Sequence, residues 1–242
     1  MSQLVNRPAR MSIALFLFAA IMPGVDLAVA STIDGQPKIL LHVRPITVKN
    51  PCQGASLARC QDAVTGGMIN VPYHVFVLAA LGDSILHAGE GVAGMQFGIE
   101  YSGSFDPVGS GSQIDVFSWT LCATLEFTQP NPVWPSPGGG TIITWDAVNN
   151  CQTGEVAVAG YFYMTAYDPA TMRIIPRPVD QISKVASCGS FETILSYYND
   201  LGCAYFAQGG IQGCNPCIWP CFVDPVEPTT WSRIKANVTG GR

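Results

Sequence analysis

Between Ile39 and Tyr167, every run of β-branched or alternating apolar residues is cut off from the next by Gly, Pro, Ser or Asn. None of these runs keeps a helical period long enough to supply a helical core. Six of them read as strands: Ile39–Val48, with Pro45 marking an edge, Tyr73–Ala79, Met95–Tyr101, Ile114–Phe127, Thr141–Trp145 and Val156–Tyr167. The last is long enough to bend at Gly160. The link Thr128–Gly140 is so rich in Pro and Gly that no helix can form in it. A short helix is expected over Ser190–Leu201, with Ser190 as its N-cap and Glu192 in its first turn. Strands joined by turn-rich links, with no alternating helices, predict a mainly β fold, an antiparallel β-sandwich, as one domain over residues 31–200.

The first thirty residues have a different character. Arg7 and Arg10 precede the apolar run Ser12–Met22, Pro23 and Gly24 break it, and Ala28, Val29 and Ala30 end it on small residues. That is the layout of a signal peptide over residues 1–30, cleaved after Ala30. No later run reaches the roughly 18 apolar residues of a membrane span, so no membrane span is expected after cleavage. The expected location is secreted, extracellular or at the cell surface, or else periplasmic. Residues 201–242 are dense in Cys, Pro and Gly and read as an extended tail. It ends in a short helix that puts Trp231, Ile234 and Val238 on one face, a candidate interaction surface. Asn237-Val238-Thr239 matches a glycosylation sequon.

Charge excludes some partners. The net charge is −5, and no Lys or Arg occurs between Arg59 and Arg173, a stretch holding acids from Asp62 to Asp168. Nucleic acids and anionic membranes need clustered cations, so neither is expected as a partner. Calcium is electrostatically compatible with such a surface, but the spaced oxygen ligands of an EF-hand loop are missing, and no cofactor is expected.

All nine cysteines fall after residue 30: Cys52, Cys60, Cys122, Cys151, Cys188, Cys203, Cys214, Cys217 and Cys221. In an oxidising compartment they are disulfide candidates. Pairing by proximity joins Cys52 to Cys60, Cys122 to Cys151 and Cys188 to Cys203, and the odd count leaves one thiol over. Cys214-Asn215-Pro216-Cys217 has the spacing of a redox pair. It lacks the strand before it and the helix starting at the first Cys that would activate a thiolate. A metal site on Cys214, Cys217 and Cys221 lacks a fourth ligand close by.

Catalytic motifs are scarce. Gly89–Gly94 spells Gly-x-Gly-x-x-Gly, but it leads into a strand pattern, and Glu90 would face the phosphates of any nucleotide. No nucleophile elbow, zinc helix or Walker loop occurs, and His42, His74 and His87 stand alone. A glycosidase pair could come from Glu100 with Asp115 or Glu126. Among the aromatics, Trp134 lies in the Pro/Gly loop and is expected outside the core, a candidate platform for stacking a sugar ring.

Gly91–Tyr101, a turn into a strand with Gln96 and Phe97 at its centre, resembles the Gly-x-x-Gly-x-Gln-Phe-x-Leu-x-Tyr-Asp pattern of cohesin-like and carbohydrate-binding β-sandwich modules. Asp106 replaces the final Asp only loosely. Gly154–Phe162 is similar to a cohesin strand entered from a Gly turn. From Asn50 to about Cys188, together with Val226–Lys235, the chain resembles a group of uncharacterised secreted bacterial proteins. The resemblance implies a cohesin-like or immunoglobulin-like sandwich. The cysteines and the long Pro/Gly loop depart from cohesins, and dockerin binding is not carried over. The function expected is a non-catalytic secreted or cell-surface module for protein–protein interaction or self-assembly. The alternative is carbohydrate binding, with a glycosidase-type hydrolase behind it.

Overall fold

The computed structural model describes residues 36–47, 51–55, 57–80 and 90–221. The chain divides into two compact units, Met1–Ala30 and Ser31–Arg242, and everything described belongs to the second. The signal peptide at residues 1–30 and the face formed by Trp231, Ile234 and Val238 lie outside the described residues, as do His87 and the sequon.

The strands are β1 (Lys38–Pro45), β2 (Gly66–Gly67), β3 (Pro72–Ala80), β4 (Val92–Tyr101), β5 (Gly103–Phe105), β6 (Ile114–Leu121), β7 (Leu125–Thr128), β8 (Gly140–Thr144), β9 (Val156–Ala166), β10 (Ala170–Ile175), β11 (Lys184–Ser187), β12 (Glu192–Ile194) and β13 (Cys203–Phe206). The first sheet has the order β1-β3-β9-β6-β5. In the second, β4 is central: β8 and then β7 lie on one side, with β11 and β10 pairing along the other. β12 continues from β11, and β13 and β2 continue from β10. Pairing is antiparallel except for β5 with β6 and β13 with β2. The fold is a mainly β sandwich, as the punctuated strand pattern predicts.

Period-two alternation sends Val75, Val77, Phe162, Met164, Ile114 and Val116 of the first sheet inward. They meet Met95, Phe97, Ile99, Ile143, Met172, Ile174 and Phe206 of the second in one continuous core. Each such side chain fully buried is worth about 1.5–3 kcal/mol against exposure. The first sheet is covered on its outer face as well. Leu40, Phe76, Leu78 and Tyr161 pack there beneath the segment holding Ala55, Cys60 and Ala63, and against Cys217. This is why Lys38–Val43 and Tyr73–Ala80 read as near-continuous apolar runs rather than alternating ones: both faces are buried.

Gly160 does produce the predicted bend in β9. The register slips between Val77 and Leu78 opposite it, and a Cβ at Gly160 would lie 2.5 Å from both the Thr120 carbonyl oxygen and the Trp119 ring. No residue larger than glycine fits under that indole.

Several expectations are corrected. Ile114–Phe127 is not one strand: the chain crosses from the first sheet to the second at residues 122–124, ending β6 and starting β7. The helix over Ser190–Leu201 does not form. Ser190 takes a left-handed φ of 69° at a turn, and Glu192–Ile194 pairs with β11, where the Lys184 ammonium meets Glu192 at 2.8 Å. The tail read as starting at 201 is in part packed structure, since β13 lies within the second sheet and Cys214 and Cys217 are buried.

Cysteine pairing follows the layers rather than the sequence. The bonds are Cys52–Cys122, Cys60–Cys217, Cys151–Cys188 and Cys214–Cys221. The segment holding Cys52 and Cys60 lies against the outer face of the first sheet. Cys52 thereby reaches Cys122 just past β6 and Cys60 reaches the returning C-terminal segment, instead of each other. Each bridge stabilises the fold by roughly 2–5 kcal/mol. The leftover thiol is Cys203.

Candidate functional site

Three places were expected to carry function, and the structure separates them. Glu100, on β4, alternates with the inward Ile99 and Tyr101 and is exposed on the outer face of the second sheet. Asp115, on β6, is fully buried at the outer face of the first sheet. It accepts hydrogen bonds from Ser110 N–H (2.6 Å), Ser110 Oγ (2.6 Å), Gly111 N–H (2.8 Å) and Ser104 Oγ (3.3 Å). Burial acts to raise its pKa, but these donors outweigh it and hold the carboxyl below its usual range. Its work is to fold the loop at 104–112 back onto the strand. Glu126, on β7, points between the sheets and accepts from Trp119 Nε1 (3.1 Å) and Thr141 Oγ1 (3.0 Å). Burial pushes its pKa up, against the pull of those two donors. With Glu100 and Asp115 on opposite outer faces and Glu126 between the layers, no two of them meet across one cleft as a glycosidase requires.

Trp134 is not a platform. It is 6% exposed and belongs to the core, edge-on to Trp119 at 5.1 Å and to Phe97 at 5.5 Å between ring centroids. The Pro/Gly link folds inward over the end of the sandwich, held by Tyr101 Oη donating to the Pro135 carbonyl (3.0 Å) and Gly138 N–H donating to the Ile99 carbonyl (2.8 Å). A loop rich in Pro and Gly can be packed as tightly as a strand when a large aromatic anchors it.

Glu90 to Gly94 runs straight into β4, and the Glu90 carboxylate accepts from Ser187 Oγ (2.8 Å), so the Gly-x-Gly-x-x-Gly letters make a strand entry and not a phosphate loop. Cys214 and Cys217 are bonded to different partners, so their redox spacing is not used as a pair. Among the described residues no group of three His, Cys, Asp or Glu could hold a metal ion, and no helix is long and apolar enough to cross a membrane.

Two surface features stand out among the described residues. The first is the free edge of the second sheet. β7 pairs with β8 alone, and its Leu125 and Phe127 are 55% and 57% exposed, next to Ile142 across the ladder. Gln129 N–H bonds the Gly140 carbonyl (2.8 Å), which makes 127/142 and 125/144 the hydrogen-bonded pairs in this register. The N–H and C=O groups of Glu126 and Thr128 therefore point away from the sheet. The second is a groove of about 550 Å³ on the outer face of the second sheet, lined by Glu100, Pro176, Pro178, Gln181 and the stacked edge-to-face pair Tyr197 and Tyr198. Sequence reasoning missed this groove because it placed both tyrosines on a helix. The adjacent Tyr-Tyr and the nearby Pro-x-Pro were the available signal.

The fold is a disulfide-bonded β-sandwich that carries, among its exposed features, an apolar strand edge and an aromatic groove. No family model and no curated protein matches the chain. Among solved structures it is similar to the sixth cohesin of scaffoldin B from Acetivibrio cellulolyticus, solved in complex with a Cel5 dockerin mutant, with 9% identity and a TM-score of 0.36 over 71% of this chain and 99% of that one. It is similar also to a chain of the CaDoc0917–CaCohA2 complex, with 11% identity and a TM-score of 0.33 over 61% of this chain and 94% of that one.

Proposed function

We propose that this chain is a non-catalytic, exported β-sandwich module that assembles with a protein partner, copies of itself included, by adding a strand to β7. The carrying observation is the open edge itself: outward N–H and C=O groups at Glu126 and Thr128, flanked by exposed Leu125 and Phe127, with the one charged side chain of the strand turned inward onto Trp119 and Thr141. Natural sheets normally blunt such an edge with Lys, Pro or a bulge, and an edge left apolar pairs with another strand. In self-pairing the register that sets Phe127 against its own copy places Glu126 opposite Thr128. That avoids opposing two carboxylates and makes an aromatic cross-strand contact. The signal-like first thirty residues and the four disulfides support export. The reading needs no cofactor, so a chelator should leave assembly unchanged.

Light scattering on the purified mature chain tests it. The mass should exceed that of one chain at micromolar concentration, and Phe127→Lys should return it to one chain with the melting temperature unchanged. A monomer at every concentration would remove self-assembly and leave strand addition to a different protein, sought with Phe127→Lys as the negative control.

Carbohydrate binding is the second reading, now resting on Tyr197 and Tyr198 with Glu100 and Gln181 in the groove, since aromatic faces beside polar groups suit a sugar ring. A glycan array probed with the native chain and with Tyr198→Ala tests it. No hit lost on substitution would end it.

A further inference from the structure

The single thiol outside the four disulfides sits directly opposite a cysteine that is already bonded. Cys203 and Cys214 form an antiparallel bridge: Cys203 N–H donates to the Cys214 carbonyl at 3.1 Å, and Cys214 N–H donates to the Cys203 carbonyl at 2.9 Å. Residues that exchange both bonds have Cα atoms about 5.5 Å apart and side chains on the same side. Disulfides form across Cα separations of roughly 4.4–6.8 Å. Cys214 is bonded to Cys221, at a Cα separation of 5.3 Å. The backbone spacing of Cys203 and Cys214 is therefore one that a disulfide can span, beside the bond that Cys214 already makes.

We propose that Cys203, Cys214 and Cys221 form a thiol–disulfide exchange site, through which the chain takes a disulfide-bearing partner onto Cys221. Cys203, after giving its proton to solvent, attacks Cys214 Sγ as the thiolate. The Cys203–Cys214 bond forms as the Cys214–Cys221 bond breaks, and the electron pair leaves on Cys221. The Cys221 thiolate then attacks the partner's disulfide R–S–S–R, giving a Cys221–S–S–R bond and releasing R–S⁻, which takes up a proton. The first step consumes no oxidant, and the second uses only the partner's disulfide.

The surroundings fit exchange here. Cys60 and Cys217 are both fully buried, so their bridge is out of reach of any thiol in solution. Cys203 and Cys221 are both partly exposed. The neighbouring surface carries exposed Met68, Ile211, Ile218 and Trp219, an apolar rim on which a partner can rest while the sulfurs exchange. Of the groups that face Cys203, Arg173 stands opposite it on β10, and residues 211–219 on its other side include no charged side chain. Burial raises the Cys203 thiol pKa, with Arg173 acting the other way, so the thiol is quiet at low pH and exchange quickens as pH rises.

Oxidised glutathione is the probe. The purified oxidised chain is incubated with it at pH 6.5 and 8.5, quenched in acid, digested with pepsin and mapped by mass spectrometry. The expected product carries glutathione on Cys221 together with a Cys203–Cys214 cross-link, and forms about tenfold faster per pH unit while the pH stays below the thiol pKa. Cys203→Ser should abolish the Cys221 adduct and leave Cys214–Cys221 intact. Glutathione on Cys203 with Cys214–Cys221 unbroken, or no adduct at all, would overturn the proposal. So would a Cys221 adduct that persists in Cys203→Ser. The wild-type map decides by itself should that variant fail to fold.

Discussion

The ammonium of Lys38 and the carboxylate of Asp200 meet at 2.5 Å with both side chains almost wholly buried, joining the first residue of β1 to the turn that precedes β13. Ile39 N–H donates to the Asp200 carbonyl (2.9 Å), Gly202 N–H donates to the Ile39 carbonyl (2.8 Å), and Asp200 Oδ2 accepts Ser196 N–H (2.6 Å). The outer edge of β1 is thereby sealed where an open edge would otherwise stand. Lys38→Met leaves Asp200 charged and without its cation in a dry site, which should cost about 3–5 kcal/mol. Urea unfolding of Lys38→Met and of Lys38→Met with Asp200→Leu measures it, and the double variant should recover most of the loss.

His42 is buried on β1, and its Nδ1 accepts the Val64 N–H at 3.0 Å, a bond that an imidazolium cannot accept. Burial first, then the Arg44 cation, lowers its pKa from 6.5 to about 4. Since the folded value lies below the unfolded one, the unfolded chain binds the proton more readily, and stability present above pH 6.5 is lost as pH falls toward 4. Between pH 7.5 and 4.5 this amounts to about 2–3 kcal/mol, and burial pushes His74 the same way. Unfolding free energies across that range should show the slope, and His42→Gln should flatten most of it.

Trp134 fills the space between Trp119, Phe97 and Phe162. Trp134→Ala should cost about 3–5 kcal/mol, as large-to-small changes in a packed core do. Denaturant unfolding followed by near-ultraviolet circular dichroism would register the loss together with the collapse of the aromatic signal. A variant that keeps full stability would mean the indole is not a core residue.

The Trp231, Ile234 and Val238 face remains a proposal for contact or surface retention. Removing Val226–Arg242 should lower the fraction of chain retained at the cell surface or in assemblies, read by fractionation and light scattering. Equal retention with and without the segment would discard that role.

Strand positions were legible where the alternation is long and flanked by clear turns, whereas the shorter Ala170–Ile175, which alternates buried with half-buried residues, was not read. Met95, Phe97 and Ile99 alternate with Gly94, Gln96 and Gly98, and β4 was read almost to its ends. The crossing at residues 122–124 was not legible, because apolar residues continue through it while the chain changes sheets. Neither was Trp134: composition reports that a loop cannot be helical, not which way its one large side chain turns. Cysteine partners were hidden for a related reason. Cys60 finds Cys217 only because the first sheet is covered on its outer face, and that layering is a property of the assembled fold and not of any local pattern. The edge at β7 became readable only once β8 was known to be its one neighbour.

The bond between Cys60 and Cys217 spans 157 residues of sequence. It cannot close until nearly the whole sandwich has left the ribosome, and a Cys60 oxidised earlier would capture a wrong partner from the cysteines already made. Production of this protein in a host is thus a problem of timing: the chain must stay reduced through synthesis and meet its oxidant only when its last layer is ready to be pinned.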